Sequence, residues 1–166
     1  MIVLGIDPGL ASTGFGVVER RGGQLVALDG GVLTTDARAR PERRLGELHE
    51  ALTRLLREHA PDAMALESLY FGQNAHSAFA VGQARGVAML CAGQRGLACH
   101  SYTPQQVKGA VCGSGRAPKE QVGRMVAYML GLQAAPASEH AADALAVAIC
   151  HANHAPLSSA IAAVAG

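Results

Sequence analysis

Runs of apolar residues broken by turn signals predict strands at the start of the chain. Apolar or alternating residues cover 1–7, 14–18 and 25–34, and a glycine-containing turn at 21–23 separates the last two segments. Strands this close in sequence pair with their neighbours. We therefore predict a three-stranded antiparallel meander.

Helical and strand patterns alternate after the meander. Leucines at helical spacing predict a helix over 41–60, and a short apolar strand follows over 62–67. A helix rich in small residues is predicted at about 76–95, ahead of a strand over 97–102. The chain then continues with helices.

Cap residues mark these last helices. Thr103 and Pro104 supply the N-cap and the first turn of one helix, and a second lies within 118–132. Ser138 caps the last helix, which we expect to end near His154.

This order of elements predicts one α/β domain. Three antiparallel strands and two strands added through right-handed crossovers form a five-stranded mixed sheet, with helices on both faces. This arrangement is that of the ribonuclease-H-like fold. We assign residues 1–154 to this domain and expect the Ala-rich residues 155–166 to form a flexible tail.

Composition is typical of a packed globular protein. Hydrophobic residues make up 49% of the 166 positions and charged residues 16%. No apolar run reaches the roughly 18 residues of a membrane span, and the start lacks an export signal, so we expect a cytoplasmic protein without membrane contact. The four cysteines are scattered, which favours free thiols over zinc ligands or disulfides.

Positive charge is concentrated in residues 68–138. The formal net charge of the chain is only +1, but in this segment six basic residues face a single acid, Glu120. The segment is either a solvated surface or a patch that binds a polyanion such as nucleic acid. The six are Arg85, Arg95, Lys108, Arg116, Lys119 and Arg124.

Acidic residues end the two strands that this sheet order places side by side. Asp7 closes the first strand and Glu67 closes the fourth, although an Asp-Pro-Gly sequence also suits a simple turn. His140 and Asp143 are three residues apart and share one helix face. Glu139 is the alternative to His140 as a ligand on that helix.

These side chains together predict a site for divalent cations. Carboxylates packed within about 4–6 Å repel and raise each other's pKa, so such a cluster is poorly stable without a cation. Hard oxygen ligands with open coordination positions suit Mg²⁺ or Mn²⁺, which also bind substrate phosphates. The residue types therefore indicate metal-dependent phosphate chemistry.

Five segments, in order, resemble the bacterial family of the Holliday-junction resolvase RuvC over about residues 1–154. They are IDPGLASTGFGVV, ALESLYFGQNAHSA, VGQARGVAML, TPQQVKGAVCGSGRAPKEQV and HAADALAVAI. The resemblance implies a structure-selective endonuclease that resolves four-way DNA junctions in recombination and repair. It also implies a homodimer, two Mg²⁺ or Mn²⁺ ions per active site, and the branch-migration proteins RuvA and RuvB as partners.

The resemblance also assigns roles to residues of this sequence. The implied metal-binding and catalytic residues are Asp7, Glu67, His140 and Asp143, with Lys119 as a further catalytic residue. The implied DNA-binding residues are Tyr70, Phe71, Asn74, Arg85, Lys108, Arg116 and Lys119. Tyr70 is the expected aromatic wedge at the junction centre, and Phe71 is its alternative. Two-metal hydrolysis would leave a 5′-phosphate and a 3′-hydroxyl.

Paired cuts require two active sites, which a twofold dimer supplies. Small residues in the helix at 76–95 would let two subunits approach closely, but they would equally suit packing inside one subunit. They are Gly82, Ala84, Gly86 and Ala88.

Three other functions are compatible with parts of the sequence. DPGLAST also resembles the first phosphate loop of actin-like ATPases and sugar kinases, but those enzymes need a second domain and a second phosphate loop. The YqgF family of small resolvases shares the DPG opening, whereas the QARG and QVK segments argue against it. A non-catalytic junction-binding module would lack one of the four ligands, and all four are present.

Overall fold

One five-stranded sheet forms the centre of the structure, a computed structural model that describes residues 1–68 and 75–164, with side chains described for 1–68 and 78–155. The strands are β1 (Ile2–Asp7), β2 (Ser12–Arg21), β3 (Gln24–Thr34), β4 (Ala63–Glu67) and β5 (Cys99–Tyr102). Their spatial order is β3-β2-β1-β4-β5. The β1–β2 and β2–β3 pairs are antiparallel, and the β1–β4 and β4–β5 pairs are parallel. The predicted mixed sheet is confirmed.

Helices cover both faces of this sheet, as predicted. They are α1 (Pro41–His59), α2 (Ala75–Gly93), α3 (Pro104–Cys112), α4 (Lys119–Leu130) and α5 (Glu139–Val164). Successive strand residues point to opposite faces. Leu4 and Ile6 therefore join one core with leucines of α1 and alanines of α2, whereas Val3 joins a second core with residues of α3, α4 and α5.

The start of β5 differs from the prediction. The strand begins at Cys99 and not at residue 97. The amide of Leu97 donates to the carbonyl of Ala92 at 3.0 Å, and Gly96 has a φ of 62°, so this stretch closes the end of α2. The amide of Leu97 is therefore used at the end of α2 and is not available for a hydrogen bond to a neighbouring strand.

The end of α5 also differs from the prediction. The helix continues to Val164 and does not end near His154. Pro156 lacks the amide hydrogen that a helix interior uses, yet it does not end the helix. The alanines on both sides of it have the highest helix propensity of all residues, and they carry the backbone through. The domain boundary at 154 and the flexible tail stay predictions.

Glycines in β1 and β2 allow α5 to lie directly on the sheet. A Cβ added to Gly5 would lie 2.1 Å from the carbonyl oxygen of Ala144. One added to Gly14 would lie 2.0 Å from the carbonyl oxygen of His140. No side chain fits at such distances, because the obstacle is helix backbone. The first turn of α5 is thereby held over the end of β1.

Two predictions from composition can be compared with the structure. Within residues 1–68 and 75–164, no helix is both long and apolar enough to cross a membrane. The four cysteines are free thiols, as predicted, with Cys91 and Cys150 buried and Cys99 and Cys112 partly buried.

Candidate active site

Two carboxylates lie side by side at one edge of the sheet. Ile6 of β1 is in register with Leu66 of β4, and each strand ends at the next residue, Asp7 or Glu67. The strands are parallel, so their carboxyl ends meet at the same edge. The predicted proximity of the two acids follows from this register.

The first two turns of α5 add an imidazole and a third carboxylate. His140 Nδ1 lies 2.7 Å from Asp7 Oδ2, and the Asp7 side chain is only 17% exposed. Asp143, one turn further along α5, is partly buried. Glu139 is 80% exposed and pairs with Lys119. His140, and not Glu139, therefore makes the contact with Asp7.

Two lysines face the same carboxylates. Lys119 is the first residue of α4, and its Nζ lies 3.0 Å from Glu139 Oε2 and 3.5 Å from Asp143 Oδ2. Lys108 reaches the site from α3, whose start is fixed by the predicted Thr103 cap. A cleft of about 320 Å³ brings these groups together, lined by Glu67, Pro104, Val107, Lys108, Lys119, Val122 and Asp143.

The charges in this cleft perturb one another. The pKa of Glu67 is raised to about 7, first by burial and then by the negative charges of Asp7 and Asp143, with Lys119 and Lys108 opposing the rise. Burial also raises the pKa of Asp143, and Lys119 counteracts it. Burial and the neighbouring acids therefore favour the protonated form of Glu67 unless a further positive charge stabilises its carboxylate.

The donor set fits a hard divalent cation, although the side chains do not converge on one point. In the part of the chain that the structure describes, no three His, Cys, Asp or Glu residues are placed to hold an ion together. Asp7 is paired with His140 and Asp143 with Lys119, so these two carboxylates have separate partners. Three carboxylates and one imidazole, with like charges close enough to raise the pKa of Glu67, are suitable ligands for such an ion. These side chains would have to rotate to surround it.

The remaining residues that were predicted to bind DNA lie in different parts of the chain. Arg116 is exposed in the connection between α3 and α4. The Arg85 guanidinium donates to the carbonyl of Glu67 at 2.7 Å. The remaining three candidates, Tyr70, Phe71 and Asn74, lie outside the described residues.

Sequence reasoning missed two contacts of the site. One joins Lys119 to Glu139 across 20 positions of sequence, and the other joins Arg85 to the backbone of Glu67. Neither contact has a local sequence signal, because both depend on how separate elements dock.

Comparisons with known proteins extend over nearly the whole chain. The family model described as Crossover junction endodeoxyribonuclease RuvC matches residues 3–151. A relative of that name from Moorella thermoacetica is 51% identical over 94% of this chain and 93% of its own length. The structure of Thermus thermophilus RuvC has a TM-score of 0.88 at 38% identity, and covers 95% of this chain and 97% of that chain. The structure of the same protein in complex with a Holliday junction substrate has a TM-score of 0.87 at 36% identity, with 95% and 96% of the two chains covered.

Fold and site together define a ribonuclease-H-like enzyme with acids at the adjoining ends of its first and fourth strands. Within that class, the chain belongs to the RuvC family of crossover junction endodeoxyribonucleases. It is thus a hydrolase, and membership implies dependence on divalent metal ions. The family match also decides against the YqgF-like and kinase-like alternatives.

Proposed function

We propose that this chain resolves four-way DNA junctions by paired, symmetric nicks in recombination and repair. One observation carries the proposal: Asp7, Glu67, His140 and Asp143 lie beside two lysines at a single open edge of the sheet. Carboxylates for cations and ammonium groups for phosphate are the groups that phosphodiester hydrolysis requires. The similarity to an RuvC that has been solved with a Holliday junction substrate supports a junction as the substrate.

We assign the metal ligands to Asp7, Glu67, His140 and Asp143, with two Mg²⁺ or Mn²⁺ ions per site. Ions bound there would activate a water for in-line attack and stabilise the leaving 3′ oxygen, which leaves a 5′-phosphate and a 3′-hydroxyl. An imidazole that donates its Nδ1 hydrogen to Asp7 keeps Nε2 as a ligand atom. His140 would therefore bind an ion through Nε2.

Lys108 and Lys119 contact the phosphate of the substrate. Their ammonium groups face the cleft from α3 and α4, next to Glu67 and Asp143. A phosphate that enters the cleft meets positive charge on this side, and that charge stabilises the negative charge that grows on the phosphoryl oxygens. Lys119 is assigned to catalysis and phosphate contact, and Lys108 to phosphate contact.

A junction-cleavage assay tests this function. The chain is incubated with a labelled four-way junction and Mg²⁺ or Mn²⁺, beside a linear duplex of the same sequence and an assay for ATP turnover. We expect metal-dependent cuts in the junction, an uncut duplex and no ATP turnover. Equal cleavage of the duplex, or turnover of ATP, would contradict the proposal.

Lys119→Ala is expected to slow cleavage and to reduce the salt dependence of junction binding by roughly one unit of slope, as for one lost phosphate contact. Binding is measured without divalent ions over a range of salt concentrations. Arg54→Ala is the control, because Arg54 is an exposed basic residue of α1. If the rate and the slope are both unchanged in Lys119→Ala, then Lys119 is only a surface lysine.

We further propose that the outer face of α2 joins two copies of this chain. The predicted small residues divide between two faces: Ala84 and Ala88 are buried in the subunit core, whereas a Cβ at Gly82 or Gly86 would meet nothing within 4 Å. Exposed apolar residues lie on the outer side, with Phe79 68%, Met89 48% and Leu90 53% exposed. A helix that is apolar on all sides is buried on all sides, and a second copy would cover this face.

Leu90→Glu is expected to convert the dimer to a monomer, because it places a charge in the apolar interface. Sedimentation velocity at equal protein concentrations measures the change. Tyr128→Glu is the matched control, since Tyr128 is also a large exposed side chain, 81% exposed, but lies on α4 and not on α2. A wild-type monomer, or a Leu90→Glu variant that stays dimeric, would contradict this interface.

Four further assignments stay proposals. Tyr70 is the junction wedge, with Phe71 as the alternative, and separate alanine substitutions of the two rings distinguish them by loss of cleavage. Asn74 and Arg116 contact DNA. The RuvA and RuvB branch-migration proteins are partners, and the cytoplasm is the location of an enzyme that acts on chromosomal junctions.

A further inference from the structure

Arg85 contacts the end of β4 from a neighbouring helix. Its Nη1 donates to the carbonyl oxygen of Glu67 at 2.7 Å, and its Nη2 donates to Ser101 Oγ of β5. One guanidinium thus joins α2 to the last residues of two parallel strands. Arginine suits this task because its planar fork presents several hydrogen-bond donors in fixed directions.

The contact between Arg85 and Glu67 lies at the end of the paired segment of β4 and β5. Ser68 donates its amide to the carbonyl of Tyr102 at 2.7 Å, one residue beyond the last residue of β4. Beyond Tyr102, the amide of Thr103 donates to Gln106 Oε1 in the cap of α3, and Pro104 has no amide hydrogen. Arg85 supplies the carbonyl of Glu67 with a hydrogen-bond donor from its side chain at this end of the strand.

The Glu67 side chain depends on this backbone contact. Asp7 is held by His140 and Asp143 by Lys119, but among the described residues nothing donates a hydrogen bond to the Glu67 carboxylate. The direction of that carboxylate is thus set by the backbone that carries it.

The helix that carries Arg85 is itself firmly placed. Ala84 is 1% exposed and Ala88 is fully buried, so the turn that includes Arg85 packs tightly against the core of the subunit. A guanidinium on such a turn has little freedom to move with the end of β4. It can act as a fixed point for Glu67.

We propose that Arg85 is a positioning residue, which orients the Glu67 carboxylate for catalysis through the peptide carbonyl of Glu67 and does not bind DNA. This inference rests on the proposed nuclease function. It revises the DNA-binding role that the sequence resemblance assigns to Arg85. Ser101 is the second anchor of the same guanidinium.

Three variants test this role: Arg85→Met, Arg85→Lys and Ser101→Ala. Each is measured for single-turnover junction cleavage at saturating enzyme with Mn²⁺, for junction affinity without divalent ions over a range of salt, and for Tm. Arg54→Met controls for loss of one positive charge at an exposed site.

We expect Arg85→Met to cut about 10–100-fold more slowly, as for other losses of outer-shell support, with a higher Mn²⁺ requirement. Its junction affinity and salt slope should match those of Arg54→Met. Arg85→Lys should recover part of the rate, because an ammonium can still donate to the carbonyl. Ser101→Ala should show a smaller loss of rate, also without a change of affinity.

Other outcomes would overturn the proposal. A salt slope lowered by about one unit with a normal saturated rate would make Arg85 a phosphate contact. Slower cleavage that follows a fall in Tm equally in all three variants would make it a merely structural residue. If wild type itself does not cut junctions, the proposed function fails; if wild type and Arg85→Met cut equally fast, only the role of Arg85 fails.

Discussion

Asp7→Asn is expected to abolish junction cleavage while junction binding stays within a few-fold of wild type. The substitution keeps the size of the side chain but removes its charge, and an amide is a poorer ligand for a hard cation. Asp7 lies beside Glu67 and raises its pKa, so removing its charge also lowers the repulsion that a DNA phosphate meets. Cleavage should therefore be lost while the affinity for the junction changes little.

End-labelled junctions measure both properties of this variant, cleavage with Mn²⁺ and affinity without divalent ions. Glu50→Gln is the matched control, because Glu50 is an exposed acid on α1. The control should cut normally. Cleavage by Asp7→Asn at the rate of wild type would refute the assignment of Asp7 as a metal ligand.

His140→Ala is expected to impair cleavage severely, whereas His140→Asp should keep it and shift the preference from Mn²⁺ towards Mg²⁺. Imidazole is a softer donor than carboxylate and suits Mn²⁺ better than Mg²⁺. The contact of 2.7 Å between His140 Nδ1 and Asp7 orients the ring at the end of β1. Cleavage rates of wild type and both variants with each ion measure the shift.

Glu139→Ala tests whether the metal ligand is His140 or the neighbouring acid. Glu139 is exposed and contacts Lys119, so its removal should leave metal preference unchanged. If Glu139→Ala loses cleavage and His140→Ala cuts normally, the ligand lies one residue earlier on α5 than we propose.

Sequence patterns predicted the parts of this fold that depend on neighbouring residues. β1 and β4 are short apolar runs that end in acids, and their parallel pairing brings Asp7 and Glu67 together. The position of His140 and Asp143 on one turn of α5 follows from helical spacing alone. The core of the candidate site could thus be predicted before the structure was known.

Features that depend on docking could not be predicted in this way. Which small residues of α2 face the core depends on the rotation of the helix against α1, and only the structure separates Ala84 and Ala88 from Gly82 and Gly86. The predicted end of α5 near His154 was wrong because the Ala-rich residues after it continue the helix. The target of Arg85 is a backbone carbonyl, which has no signature in sequence.

Close packing of α5 on the sheet explains why the site is assembled at all. The glycines at positions 5 and 14 leave no room for a side chain, so the helix backbone lies within contact distance of β1 and β2. That approach brings the first turn of α5 to Asp7. The site is therefore a consequence of the same packing that completes one hydrophobic core.

Mapping the cuts in a four-way junction tests the central claim most directly. Each of the four strands is labelled in turn, and the products formed with Mn²⁺ are sized and tested for their end groups. We predict nicks at symmetric positions in two opposing strands, with 5′-phosphate and 3′-hydroxyl ends, and none when divalent ions are chelated. Cuts that persist in chelator, that fall at unrelated positions, or that leave 3′-phosphate ends would contradict it.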